Sequence, residues 1–366
     1  MIKSKHLLVY LCLLILLIKI FSIKITNFDL FGDEAQYWIW SKNLDFGYYS
    51  KPPLLSWLIA IVVKIFGDSF FVIKMISVGV YLLSTIVIYI LSKKILNEKN
   101  FAIYVATSFF LMPAVTFSSY IVSTDILLIL FWSLSLLQIF KIKNNPCLKN
   151  FILLGIFVGL AFLSKYAAIY FFICILFLIS IDLKFRKVFS KNKINIFFFA
   201  LTIIIIIFPN IFWNVSNGWL TFQHTVSNAG LNRASFNFIG GSNFVLSQIF
   251  MIGPVIIIFF VLRFKKYSIW DSNTKILLAF SAPIFIIVLL EAFLVRANAN
   301  WAAVSLISFL IYLIYCVFKK SKKIIFVNNF INLFFGIVFY ILVSISSDLE
   351  PFKRVSGISV FAKNLV

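Results

Sequence analysis

The run Ile194-Asn-Ile-Phe-Phe-Phe-Ala-Leu-Thr-Ile-Ile-Ile-Ile-Ile-Phe-Pro-Asn-Ile-Phe212 sets the fold class. It carries no charged side chain, and as a helix rising about 1.5 Å per residue it spans roughly 30 Å of hydrocarbon. A strand of a membrane barrel would instead read as about ten residues of alternating polarity. Similar runs recur near 7–23, 70–91, 101–118, 125–140, 151–164, 167–182, 246–262, 276–294, 301–318 and 324–346. The sequence therefore predicts an all-α, polytopic membrane protein with about eleven transmembrane helices. Of its 366 residues, 62% are hydrophobic and 12% charged, where a soluble domain carries about 25% charged. Mean hydropathy is +1.05.

The net charge of +21 invites a nucleic-acid reading, but the distribution argues against one. Basic residues gather in short segments between apolar runs: 93–99, 141–149, 184–193, 263–275 and 319–323. With Lys3 and Lys5 these hold 21 of the 33 basic residues. Under the positive-inside rule the N-terminus is then cytoplasmic and the C-terminus outside. Met1-Ile-Lys-Ser-Lys-His6 runs into a leucine-rich stretch with no small-residue cleavage site, the pattern of a signal anchor. Cys12, Cys147, Cys174 and Cys316 are far apart and form no disulfide framework or CxxC metal site.

Acidic residues show the opposite bias. Asp29, Asp33, Glu34, Asp45 and Asp68 share the external segment 24–69, so chemistry is expected on the outer face. That segment also carries Tyr37, Trp38, Trp40, Tyr48, Tyr49 and Trp57, which favour the headgroup level and predict interfacial helices. Residues 54–66 read as one of these or as a short re-entrant helix. A second external loop covers 213–245, and 347–366 forms a short external tail. Gly155 and Gly159 make a GxxxG pair expected to pack helices.

Asp33 and Glu34 stand just outside a span, among aromatic residues. Two carboxylates there can supply a general base; a solvated loop charge or helix N-cap is an equally good local reading. Lys51 precedes two prolines that stiffen its turn, so its ammonium can meet a lipid phosphate or simply snorkel to headgroups. Asp125 opens a span, where it or Ser123 or Thr124 can cap the helix, and Lys165 is its natural partner. His224 ends the segment from Trp213 and is weak evidence for a metal by itself. Arg296, beyond Glu291, suits bidentate phosphate binding or a salt bridge. The sequon at Asn214 is read as chance.

Together, Asp33-Glu34-Ala-x-Tyr-Trp-x-Trp-Ser and Gly47-Tyr-x-x-x-Pro-Pro-Leu-x-x-Trp57 resemble integral-membrane glycosyltransferases of the dolichyl-phosphate-mannose protein mannosyltransferase type. Bacterial members include the aminoarabinose transferases of lipid A. The likeness continues through Thr124-Asp125, Leu163-Ser-Lys-Tyr166, Trp213-Asn-x-x-x-Asn-Gly-Trp219 and Asn300-Trp301. It implies a GT-C fold in residues 1–346 and a donor sugar carried on polyprenyl phosphate. It also implies transfer to a lipid A, glycan or protein acceptor outside the bacterial inner membrane. By the same likeness Asp33 is the base of an inverting displacement, with Glu34 beside it. Lys51 binds the lipid phosphate, helped by Lys165 and Arg296. Asp125, Tyr166, His224, Trp219, Asn300 and Trp301 are expected near substrate or a divalent cation. Two departures stand out: Ser50 replaces the usual acid before the diproline, and the tail is short where many relatives continue into an external domain.

Two other readings stay open. A flippase or transporter of lipid-linked saccharides also needs an aromatic, charged cavity, but it should hold its charges near the bilayer midplane. Of the basic residues, only Lys19 and Lys74 lie well inside the expected spans. An inactive accessory homologue is the third.

Overall fold

The structure is a computed structural model and describes residues 4–26, 28–230 and 235–345; the expected tail 347–366 lies outside them. Every regular element in these residues is helical. The chain begins with α1 (Ser4–Ile25), α2 (Gly32–Trp40), α3 (Leu54–Phe66) and α4 (Phe70–Ile95). It continues through α5 (Lys99–Leu111), α6 (Pro113–Ser118), α7 (Thr124–Asn144), α8 (Leu148–Ser164) and α9 (Tyr170–Ile181). Next come α10 (Leu183–Lys191), α11 (Lys193–Ser216), α12 (Leu220–Ala229), α13 (Phe238–Ile252) and α14 (Pro254–Leu262). The last are α15 (Phe264–Tyr267), α16 (Ser272–Ala279), α17 (Ala282–Leu294), α18 (Ala303–Phe318) and α19 (Lys322–Ile345).

Among the described residues, seven helical segments are long and apolar enough to cross a membrane, or up to nine if each bent pair is one span. The expectation of eleven counts pieces that the backbone divides or shortens. Residues 101–118 break at Pro113, whose missing N–H and fixed φ place it at a new helix start. Residues 246–262 turn by 106° between α13 and α14. Gly253 takes φ 120° at that corner, and a Cβ there would sit 2.5 Å from the Asn328 amide. Asn328 Oδ1 accepts from the Ile256 N–H at 3.0 Å, while Asn332 Nδ2 donates to the Ile252 carbonyl at 3.0 Å. Two amides of α19 thus satisfy backbone groups that the corner sets free, as an apolar environment demands.

α5, α7 and α18 are the interior helices, most of their residues being buried, and α4 packs on α5 and α7. α8 lies against α11 through Gly155 and Gly159, where Cβ atoms would approach Phe199 O, Thr202 and Ile206 within about 3 Å; the GxxxG pair packs as expected. The two ends of α7 differ. At its C-terminal end Lys143 donates to Asn273 (2.6 Å), which donates to the Ile95 carbonyl (3.1 Å). Lys5 of α1 reaches Asn100 at 3.2 Å, beside the basic segment 93–99. The N-terminal end of α7 carries Asp125 and opens on a cavity.

Candidate functional site

α2 converts the acidic pair into two separate groups. Successive residues of a helix are rotated by about 100°, so neighbouring carboxylates cannot face the same way. Asp33 is exposed and lines the cavity; Glu34 is turned into the protein, 0% exposed. Glu34 accepts from Lys74 Nζ at 2.6 and 2.8 Å, from the Phe31 N–H at 2.9 Å and from the Val122 N–H at 2.6 Å. Lys74 is equally sealed, and donates also to the Tyr120 carbonyl at 3.1 Å. The expectation that Glu34 stands beside Asp33 in chemistry is therefore corrected: Glu34 fastens α2 to α4 and to the segment leading into α7. No hydrogen bond or salt bridge holds Asp33 among the described residues.

The cavity measures about 610 Å³. Asp33, Lys51, Asp125, Lys165, Tyr166 and His224 all line it, as do Asn300 and Trp301. These residues come from segments up to 268 positions apart (33 to 301). Arg296 and Trp219 are not on its wall. Arg296 is exposed and donates to Asn228 Oδ1 at 3.2 Å, which leaves Glu291 without the salt bridge allowed by sequence. Trp219, at φ 60°, precedes α12 and meets Phe222 edge-on. Arg296 and Trp219 fail as cavity residues because neighbourhood in sequence does not set the direction of a side chain.

Asp125 lies in the first turn of α7, where the helix dipole favours a carboxylate. Lys165 donates to its Oδ1 at 2.7 Å and Asn300 to its Oδ2 at 2.8 Å. The expected Asp125–Lys165 pair is thus present; no side chain of Ser123 caps the helix. Lys165 is delivered by the break between α8 and α9, where a 3₁₀ turn begins at Tyr166.

Lys51 has no counter-ion in reach of its Nζ among the described residues. Burial pushes its ammonium below the usual 10.5, and the Lys165 charge adds to that, against Asp33 and Asp125. A half-buried lysine in this state gains charge stabilisation when an anion arrives.

The loop that presents Lys51 is pinned by residues of α11 and α12. Trp213 Nε1 donates to Asp45 Oδ2 (2.6 Å), Asn210 Nδ2 to the Phe46 carbonyl (2.7 Å) and Thr221 to the Tyr48 carbonyl (2.6 Å). Gly47 passes beneath the Trp213 ring so closely that a Cβ would lie 2.3 Å from it. Tyr166 donates to Asn210 Oδ1 at 2.8 Å and stacks on Phe222 at 4.6 Å. His224 meets Tyr49 edge-on at 5.1 Å. Asn214 is fully buried and donates to Tyr166 at 3.1 Å, consistent with a chance sequon.

Tyr37, Asn210, Phe222, Glu291 and Asn298 are among the other residues of the wall, and the sequence does not single them out as site residues. Asn210 alone carries a signal: it is an amide three residues before Trp213, next to Pro209 at the end of an apolar run. For a divalent cation the described residues contain no group of three or more His, Cys, Asp or Glu placed to hold one.

Residues 50–213 match the family described as dolichyl-phosphate-mannose-protein mannosyltransferase. The lipid A galacturonosyltransferase RgtD of Rhizobium johnstonii is 28% identical over 323 residues, which cover 85% of this chain and 66% of that protein. This chain thus spans just under two thirds of that relative's length. ArnT from Cupriavidus metallidurans, solved bound to undecaprenyl phosphate, shares the fold with a TM-score of 0.70 and 12% identity, over 95% of this chain and 67% of its own. The archaeal oligosaccharyltransferase AglB from Archaeoglobus fulgidus, in complex with an inhibitory peptide and a dolichol-phosphate, gives a TM-score of 0.55 and 15% identity. It covers 94% of this chain and 55% of its own. The likeness read from the motifs holds: the chain has the GT-C fold of membrane glycosyltransferases.

Proposed function

We propose that the chain transfers a hexosyl or pentosyl group from a polyprenyl-phosphate donor to a cell-envelope acceptor: lipid A, a glycan or a protein. The observation that carries this is one cavity lined by a carboxylate and an ammonium, Asp33 and Lys51, neither of which is held by a hydrogen bond or salt bridge among the described residues. The family match over residues 50–213 supports it.

In the reaction, Asp33 takes the proton of an acceptor hydroxyl as its oxygen attacks the anomeric carbon. The bond from that carbon to the phosphate oxygen breaks, and its electrons leave with polyprenyl phosphate. Lys51 balances the charge that grows on the departing phosphate. Lys165 adds positive potential while it holds Asp125 in place, and Asn300 fixes the other Asp125 oxygen. Attack opposite the leaving group inverts the anomeric centre.

The cavity opens at the α7 end remote from the basic segments. With Lys5 and the basic segments at the other end, the positive-inside rule supports a cytoplasmic N-terminus and chemistry on the outer face of a bacterial inner membrane. The test is transfer of labelled sugar from polyprenyl phosphate in membranes carrying wild type or Asp33→Asn. Loss of transfer in the variant is expected; equal transfer by both sinks the base role.

A further inference from the structure

One cavity carboxylate has no part in that scheme. Glu291 lies in the last turn of α17, half-buried on the cavity wall, and no hydrogen bond or salt bridge reaches its side chain among the described residues. Arg296, five positions on, is turned to Asn228 instead. Nor is another cavity cation free to answer it. Lys165 is bonded to Asp125, Lys51 is assigned to the phosphate, and His224 rests against Tyr49. A desolvated carboxylate without a partner is costly unless a ligand supplies the donors.

We propose that Glu291 selects the sugar. Its carboxylate accepts hydrogen bonds from a hydroxyl or ammonium group of the transferred residue. Its charge, with that of Asp33, repels a sugar carboxylate. This rests on the transfer reaction above and narrows its donor to neutral or amino sugars. It separates the chain from the galacturonosyltransferase relative, whose name specifies a uronic acid.

The experiment uses the full chain in lipid vesicles and three polyprenyl-phosphate donors, carrying a neutral hexose, an amino hexose and a hexuronic acid. Displacement of labelled polyprenyl phosphate reads binding; transfer to an envelope lipid and glycan extract reads reaction. Wild type is expected to bind and use the neutral or amino donor about tenfold or more better than the uronic one. Glu291→Gln keeps the shape and one acceptor oxygen, and should bring the uronic donor close to the neutral one. A larger loss for the amino donor than for the neutral one identifies an ammonium as the Glu291 ligand; equal losses identify a hydroxyl. Equal binding of uronic and neutral donors by wild type overturns the proposal, as does an unchanged ratio in Glu291→Gln. Selective binding without transfer from any donor keeps Glu291's role and overturns the transfer reaction instead.

Discussion

Two lysine–carboxylate pairs in this molecule do opposite things. The Glu34–Lys74 side chains are 0% and 1% exposed, and every carboxylate oxygen is taken by Lys74, Phe31 or Val122. The Asp125 and Lys165 side chains are 10% and 21% exposed and face the cavity. A sealed, fully bonded pair has no capacity left for substrate, so it fixes geometry. A pair with one side open keeps its charges where a ligand can feel them. Burial, rather than charge or spacing, distinguishes the fastener from the pair proposed to act on substrate. It also explains why Asp33 and Glu34, adjacent in sequence, part company.

The contrast predicts different failures. Removing one member of the sealed pair, as in Lys74→Met, leaves a buried charge uncompensated and should cost about 3–5 kcal/mol. The thermal midpoint in detergent should fall steeply, and Glu34→Gln/Lys74→Met should recover part of it. A midpoint unchanged from wild type would contradict the fastener role. Lys165→Met, at the open pair, should cost about 1 kcal/mol or less in stability, yet lower transfer about tenfold to a hundredfold. A variant as unstable as Lys74→Met would erase the distinction.

Lys51 extends the contrast to pH. Its ammonium must be protonated to hold a phosphate, and its folded value lies below 10.5. Affinity for polyprenyl phosphate should therefore be level at neutral pH and fall as pH rises through that lowered value, with the midpoint below 10.5. Bound phosphate favours the proton and moves the midpoint upward. Lys51→Arg should abolish the alkaline loss, because guanidinium stays charged. The smallest effect belongs to Lys42–Asp68, an exposed pair that also receives Trp38 Nε1 at 2.7 Å. Asp68→Asn should change stability by no more than about 1 kcal/mol and leave transfer intact.

Hydropathy locates the helices because burial in lipid leaves little alternative to a helix. It does not locate the corners, which depend on φ at single residues such as Gly253 and on amides 75 or more positions away, Asn328 and Asn332. In the site, Asp33, Lys51, Asp125 and Lys165 are legible because uncommon charges beside spans need reasons. Glu34 reads as a loop carboxylate, and only burial shows otherwise. The clue to its partner lies in the sequence all the same: Lys74 falls inside an expected span, and an intramembrane lysine calls for a nearby acid. Trp219 ends one motif and Arg296 precedes another in sequence, whereas their directions are set by α12 and the turn before it.

The most direct measurement follows binding of labelled polyprenyl phosphate and transfer of its sugar in one preparation of wild type, Asp33→Asn and Lys51→Ala. Asp33→Asn should bind like wild type but transfer at least about a hundredfold more slowly, while Lys51→Ala should lose binding itself. Undiminished transfer by Asp33→Asn, or undiminished binding by Lys51→Ala, would contradict the division of labour between base and phosphate anchor.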